Sequence, residues 1–136
     1  LVDSVRVPGS VGLFGGIRTE NGPIDLKSAG LFGLVAAARA IAIRYGVTER
    51  STPARLAGVK ALVHASHGDL DALMEAQSIF LDLILAQQVE DVAHGLPPSN
   101  AVVLKQLSPR ARDQLRKALN AVAHVDDLAR DLLFRN

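Results

Sequence analysis

A lysine lies at the start of a helix that is otherwise almost entirely apolar, and its position suggests phosphate chemistry. Residues 21–39 read NGPIDLKSAGLFGLVAAAR, which places Lys27 in the first turn, on the predicted buried stripe. The positive end of the helix dipole disfavours a cation there, so helix stability does not explain this residue. Its ammonium group could neutralise the charge of a bound phosphate group. The structural alternative is a lysine that extends past the end of the core stripe and pairs with Asp25.

Further polar residues in apolar surroundings are candidates to line a binding cleft together with Lys27. Arg39 interrupts an alanine-rich stretch, and a buried guanidinium needs a partner, so a buried pair that ties helices together is favoured over a cleft role. Arg55 lies one turn into the second predicted helix and either points to the cleft or is solvated. Gln77, Gln87 and Gln88 interrupt the apolar run of the third helix, where buried amides must be hydrogen-bonded. Bonding between helices is favoured for Gln77, whereas for Gln88 a cleft role is equally supported.

The remaining charged clusters are interpreted as structural. The fourth predicted helix begins with cations that would suit a phosphate, an acidic partner or RNA, but no aromatic residues interleave to stack on bases, and a solvated face is favoured. No carboxylate at ligand spacing accompanies the histidines, so no metal site is predicted. The chain also lacks the acidic pair of a polymerase-type metal site. The cations and histidines concerned are Arg110, Arg112, Arg116, Lys117, His64, His67, His94 and His124.

The composition is typical of a soluble globular domain. Hydrophobic residues make up 49% of the 136 residues, enough for one packed core. Fifteen basic and 14 acidic side chains give a net charge of +1, so charge predicts neither a nucleic-acid nor a membrane partner. The chain has no cysteine, and its longest charge-free apolar run, residues 29–38, is shorter than the ~20 residues that span a bilayer. We therefore expect a cytoplasmic protein and, because the chain begins with Leu1, a piece of a longer polypeptide.

Hydrophobic periodicity and capping signals predict an all-α fold, an antiparallel four-helix bundle with or without an extra short helix. Residues 26–136 are expected to form the bundle, and residues 1–25 a glycine-rich lead-in that is extended or forms a hairpin at Asn21-Gly22. Gly46 and Gly95 should close the first and third helices in the left-handed conformation. The linker after the third helix, PPSNAVVLKQL, should be extended. The predicted helices run from about Leu26 to Tyr45, Thr52 to His67, Asp69 to His94, and Pro109 nearly to the C-terminus.

Regular stripes mark the predicted core faces of the first and last helices. Each stripe alternates steps of three and four residues, the spacing of one helix face. The first comprises Lys27, Leu31, Leu34, Ala38, Ile41 and Tyr45, and the last comprises Ala111, Leu115, Ala118, Val122, Val125, Ala129 and Leu132.

Four segments carry a resemblance to a known family: IDLKSAGL, STPARL, AQQVEDVAHGLPPSN and LSPRARDQLRKAL. In this order and spacing, from about Leu13 to Phe134, the chain resembles the nucleotidyltransferase substrate-binding domain family. That family is a helical module at the C-terminus of bacterial signalling proteins, usually preceded by a cyclic-nucleotide-binding-like domain, a CBS pair and a nucleotidyltransferase domain. It is similar in turn to the helical region of PII uridylyltransferase. The glycine-rich motif of those enzymes is kept here as Lys27, Gly30 and Leu31, without its Arg-Asp pair.

The resemblance implies an accessory domain of a multidomain signal-transduction protein, which lines the cleft of a catalytic domain absent from this chain. It implies that Asp25, Lys27, Arg39, Arg55 and Gln88 line that cleft and bind a nucleotide or protein substrate. Mg²⁺ and a nucleoside triphosphate are expected only with the catalytic domain, and the isolated chain is expected to have no cofactor and no activity. The alternative is a non-enzymatic bundle for protein interaction or dimerisation.

One face of the first predicted helix is apolar although it lies off the core stripe. Phe32, Val35 and Ile43 cannot all face one four-helix core. We therefore expect an exposed patch that associates with a second copy, as a two-fold dimer in which the patch meets itself.

Overall fold

The computed structural model describes residues 22–134, which are mostly helical, as predicted. The four-helix antiparallel arrangement stays a prediction, because this part of the chain divides into five α-helices and also contains a small sheet. None of its helices has the length and apolar character needed to cross a membrane. The elements are β1 (Pro23–Asp25), a π-helical segment (Lys27–Leu31), α1 (Phe32–Arg44), α2 (Thr52–Leu62), α3 (His67–Ala93), β2 (Ala101–Val103), a 3₁₀ turn (Leu104–Gln106), α4 (Pro109–Ala123) and α5 (Val125–Phe134).

The two strands come from distant parts of the sequence and pair with each other. β1 and β2 are antiparallel, with Ile24 opposite Val102. Both of these central residues are buried, whereas the strand residues beside them are not. The linker after α3 was expected to be simply extended, but it supplies β2 and so attaches the lead-in to the helices. The predicted hairpin at Asn21-Gly22 needs a strand that lies outside the described residues.

The first predicted helix is regular only from Phe32 onward. Residues Lys27–Leu31 form a π-helical segment, in which each turn holds more residues than an α-turn. This change of period rotates Lys27 out of the stripe formed by Leu34, Ala38 and Ile41, which are buried. The expectation that Lys27 lies on the buried stripe is therefore wrong, because its side chain is exposed.

Glycines close the first and third helices as the sequence predicts. Gly46 and Gly95 both have φ = +70°, the left-handed conformation that glycine adopts without steric cost. The N–H of Val47 donates to the carbonyl of Ala42 (2.8 Å), and the N–H of Leu96 donates to that of Asp91 (2.8 Å). These bonds satisfy carbonyls that the helix ends would otherwise leave unpaired.

The second helix differs from its prediction at both ends. Its cap is Ser51, whose hydroxyl accepts the N–H of Ala54 (3.2 Å), rather than the Thr52-Pro53 pair. It ends at Leu62, five residues early, because Val63 is extended (ψ 155°) and allows the chain to turn into α3. Ser66, immediately before α3, has φ = 65°, a conformation uncommon for a residue with a side chain.

The last predicted helix is two helices that share one core stripe. Ser108 caps α4 by accepting the N–H of Ala111 (3.1 Å), as the sequence predicts. His124 (φ −98°, ψ 4°) separates α4 from α5. The predicted stripe is nevertheless buried from Leu115 to Leu132, and only its first member, Ala111, is partly exposed.

One hydrophobic core joins all of these elements. The start of α3 and the end of α4 line a common cavity through Ser66 and His124, so these two helices run antiparallel. α5 reaches α1, where the hydroxyl of Tyr45 donates to the carbonyl of Leu132 (2.9 Å). Phe80 on α3 is fully buried and contacts the π-helical segment at Gly30.

Candidate functional site

Two of the family-like segments meet at one end of the molecule. The N–H of Leu26 donates to the carbonyl of Asn100 (3.0 Å), directly after the β1–β2 pair. The amide nitrogen of Gln88 donates to the side-chain oxygen of Asn100 (3.3 Å). Asn100 thus links the segment that carries Asp25 and Lys27 to α3. We call Asp25, Lys27, Gln88 and Asn100 the junction site.

Asp25 holds the first turn of the helix that carries Lys27. One carboxylate oxygen of Asp25 accepts the backbone N–H of Lys27 (2.9 Å) and that of Ser28 (3.2 Å). This carboxylate satisfies N–H groups at the start of the segment, and its negative charge suits the positive end of the helix dipole. The contact supports the local backbone rather than an ion pair with the Lys27 side chain.

The ammonium group of Lys27 is exposed and forms no ion pair within residues 22–134. It lies 5.8 Å from the centre of the Phe32 ring, a cation–π contact that leaves its hydrogen-bond donors free. The predicted side-chain pair with Asp25 is not among the contacts of this region. A compact, solvated cation on a backbone fixed by hydrogen bonds is suited to bind a phosphate or carboxylate.

The backbone beneath Lys27 is held close to α3. A Cβ atom on Gly30 would lie 2.5 Å from two ring atoms of Phe80, a distance that side chains do not tolerate. Glycine is therefore needed for this approach. Segments of π-helix occur frequently at functional sites, and this one carries the lysine that the sequence singles out.

A buried carboxylate fixes the other half of the junction, and sequence reasoning missed it. One oxygen of Asp91 accepts the side-chain amide of Gln87 (2.8 Å), and the other accepts the N–H and the hydroxyl of Ser99 (3.0 and 2.9 Å). The hydrogen bond from Gln87 is the largest cause that lowers the pKa of Asp91 below its ordinary value of 3.8. Asp91 thus holds the loop that carries Asn100 against α3. A carboxylate eight residues before a serine is not a recognised motif, so the sequence did not predict this contact.

Arg39 and Arg55 do not belong to the junction site. Arg39 is exposed on α1, twelve residues beyond Lys27 and about 18 Å away along a helix axis. The buried ion pair favoured for Arg39 is therefore wrong. Arg55 is partly buried, and its Nε donates to the carbonyl of Glu49 (2.9 Å) near the far end of α1. A role of either arginine in an extended cleft stays a prediction.

Gln77 and Gln88 on α3 differ in their hydrogen bonding. Gln88 bonds to Asn100, whereas the buried Oε1 of Gln77 has no hydrogen-bond partner within the described chain. The interhelical hydrogen bond favoured for Gln77 is thus not formed by that oxygen. An orphaned buried acceptor is unfavourable, and we have no structural explanation for it.

Two cavities flank the long helix α3. One, of about 670 Å³, lies beside the Asp91 network and is lined by Gln87, Asp91 and Leu107 among others. The other, of about 590 Å³, lies at the opposite end of the molecule and is lined by Asp69, Lys117 and His124 among others. Of the predicted site residues, none lines either cavity. Neither of these two cavities therefore lies at the junction site.

The donor set of the described chain does not fit a metal ion. Between Gly22 and Phe134 there is no group of three or more His, Asp or Glu side chains placed to coordinate one. The histidines act at helix ends, where His94 and His124 bond through Nδ1 to the carbonyls of Glu90 (2.9 Å) and Asn120 (2.8 Å). The junction site offers an exposed cation that suits an anion, and its residues do not assemble a nucleophile and base.

Comparison with known proteins gives one match. The family model described as "Putative nucleotidyltransferase substrate binding domain" matches residues 2–131, nearly the whole chain. Searches of curated proteins and of solved structures each gave no match.

Proposed function

The chain belongs to the nucleotidyltransferase substrate-binding domain family, and we propose that it is the accessory domain of a multidomain, cytoplasmic signalling protein of bacteria. In this proposal an upstream catalytic nucleotidyltransferase domain packs over the junction site. The accessory domain then supplies one wall of the active-site cleft. Its role is to bind and orient the nucleotide or the protein substrate, whereas the catalytic domain performs the chemistry.

The observation that carries the proposal is the exposed cation at the junction site, which forms no ion pair with any residue between Gly22 and Phe134. One carboxylate oxygen of Asp25 accepts backbone N–H groups instead. A cation that neutralises developing charge on a phosphoryl group lowers the barrier to phosphoryl transfer. Lys27 would stabilise the triphosphate in this way. Gln88 and Asn100 would hold in position the protein backbone of the segment that carries Lys27.

The expected Mg²⁺ and nucleoside triphosphate fit this division of labour. The described residues offer no ligand cluster for Mg²⁺, so we place the metal ion in the catalytic domain and derive no step through it here. Lys27 fits the nucleotide rather than the metal, because an ammonium group donates hydrogen bonds and cannot coordinate a cation.

The test is the nucleotidyl-transfer rate of the multidomain protein with Lys27→Ala. We expect the rate to fall about tenfold or more, because the transition state loses a charge contact. The melting temperature should stay nearly unchanged, because substitutions of exposed residues usually shift stability by less than about 0.5 kcal/mol. Lys105→Ala is the matched control, an exposed lysine beyond β2 that should retain the wild-type rate. A normal rate in Lys27→Ala, or a clear loss of stability, would assign Lys27 a structural role instead.

A second candidate function is protein interaction without catalysis. It is favoured by large apolar side chains that are exposed on two helices of the described chain, among them Phe32, Ile43, Leu85 and Val92. Such surfaces mark interaction sites in soluble proteins. The two functions are separable by substitution of Ile43 or Leu85, whereas Phe32 also contacts the ammonium group of Lys27.

A further inference from the structure

Two exposed apolar faces lie on different helices. On α1, the side chains of Phe32, Ala36, Arg39 and Ile43 follow one another at spacings of four, three and four residues, and Phe32 and Ile43 are 58% and 73% exposed. We call these four residues the α1 face. On α3, the α3 face comprises Leu81, Leu85, Val89 and Val92, each between 46% and 62% exposed. Each face spans twelve residues, about 16 Å of helix from its first to its last residue.

The two faces carry opposite charge. The α1 face contains Arg39, and the segment from Lys27 to Arg44 has three cations and no acidic residue. α3 has six acidic residues and no lysine or arginine. Of these, Glu75 and Asp82 lie along one margin of the α3 face at helical spacing, and both are exposed. An apolar surface with a basic residue and one with an acidic margin are complementary to each other.

Neither face is well suited to pair with itself. A two-fold contact between α1 faces would bring Arg39 near the same residue of the second copy. A contact between α3 faces would gather Asp82 and Glu75 with no cation to balance them. Like charges across an interface are unfavourable, so the complementary pairing is preferred over the self-pairing expected from the sequence.

The two faces begin at the same level of the fold. Near Lys27 the chain lies beside Gln88 through Asn100, and Gly30 lies against Phe80, so α1 and α3 run in opposite directions. The α1 face begins two residues after Gly30, and the α3 face begins one residue after Phe80. The faces therefore extend in opposite directions from the same level.

We propose that the chain forms a two-fold dimer in which the α1 face of each copy packs against the α3 face of the other. Such a contact is reciprocal, since residue i of one copy meets residue j of the other and j meets i. Both faces of each copy are used, which doubles the buried surface toward the ~800 Å² per partner of a stable interface. The dimer does not depend on the proposed nucleotidyltransferase role.

Sedimentation velocity of the 136-residue chain tests the proposal. We expect a dimer for the wild type and monomers for both Ile43→Glu and Leu85→Glu, because each buries a charge in one of the two faces. Leu62→Glu at the end of α2 is the control, since Leu62 is equally exposed but lies on neither face. Circular dichroism should show that all variants remain helical. A monomeric wild type at about 100 μM, where even weak micromolar dimers form, would overturn the proposal.

The variants also distinguish complementary pairing from self-pairing. If only Ile43→Glu dissociates the dimer, the α1 face pairs with itself; if only Leu85→Glu does, the α3 face pairs with itself. Either result contradicts the proposal. Arg39→Glu should weaken dimerisation about tenfold or more because it makes both faces acidic, while Arg39→Lys should preserve it. Equal affinity of the two Arg39 variants would contradict the role of charge.

Cysteine crosslinking gives a direct readout of which faces meet. The chain has no cysteine of its own, so single substitutions report only their own contacts. Ala40→Cys beside the α1 face and Val89→Cys on the α3 face should form a disulfide-linked dimer when the two variants are mixed and oxidised. Neither variant should crosslink efficiently alone. If either variant crosslinks when oxidised alone, and the mixture gives no additional crosslinked dimer, the reciprocal arrangement is overturned.

Discussion

The ionisation of Asp91 is coupled to the stability of the fold. Its carboxylate is buried and accepts three hydrogen bonds, which lower its pKa in the folded state. A depressed carboxyl pKa stabilises the fold above the unfolded-state value, and this contribution is lost as the pH falls through the folded-state value. We therefore predict that the free energy of unfolding decreases on acidification below about pH 4.

The variant Asp91→Asn tests this origin of the acid sensitivity. It should lower the melting temperature at pH 7 by a few degrees and flatten the decline between about pH 5 and pH 3. The control Asp113→Asn removes an exposed partner of Arg116 and should change the melting temperature little. Thermal melts across this pH range provide the measurement. An Asp91→Asn curve parallel to that of the wild type would show that other groups cause the acid sensitivity.

The structural roles of some single residues could be predicted from the sequence, and those of others could not. The sequence correctly placed Gly46, Gly95 and Ser108, because local backbone conformation and capping decide their roles. It placed Lys27 on the wrong face, because the spacing rule assumes about 3.6 residues per turn and a π-helical segment breaks that period. The Asp91–Ser99 contact depends on the path of a loop, which no periodicity describes.

The π-helical segment owes its position to the missing side chain of Gly30. Gly30→Ala would push a methyl group into the ring of Phe80, which the core holds in place, and we expect a loss of about 1–3 kcal/mol. Gly68 lies in the first turn of α3, and a methyl group added there would meet no other atom within 4 Å. Gly68→Ala should therefore be neutral or stabilise by up to about 1 kcal/mol. Denaturant titrations would compare the two, and equal effects would contradict a specific contact at Gly30.

Helices and strands could be predicted from the sequence where local signals are strong. Where tertiary contacts determine the secondary structure, they could not. The heptad-like stripe of the last helix was correct through Leu132, but its division at His124 was not foreseen. The same side chains remain buried on both sides of the break, so the stripe carries no sign of it. β2 was predicted only as an extended linker, because a three-residue strand is defined by its partner β1 rather than by its own composition.

At the scale of the whole molecule, the resemblance read from four short segments is confirmed by the family match over residues 2–131. The apolar face predicted on the first helix is also exposed at Phe32 and Ile43. What covers these surfaces could not be read from the sequence, because a partner leaves no periodicity in the chain that binds it. The junction site and the two apolar faces are the surfaces through which we propose that the domain contacts other folded units.

The central claim is that this domain lines a nucleotide cleft, and affinity labelling tests it most directly. An acyl-phosphate derivative of ATP transfers its acyl group to lysines beside the terminal phosphates, and mass spectrometry identifies the modified peptide. In the multidomain protein we predict Mg²⁺-dependent labelling of Lys27 that excess unmodified ATP suppresses, with Lys105 unlabelled. Labelling confined to the catalytic domain, or equal labelling of Lys27 and Lys105 that ATP does not suppress, would contradict the account.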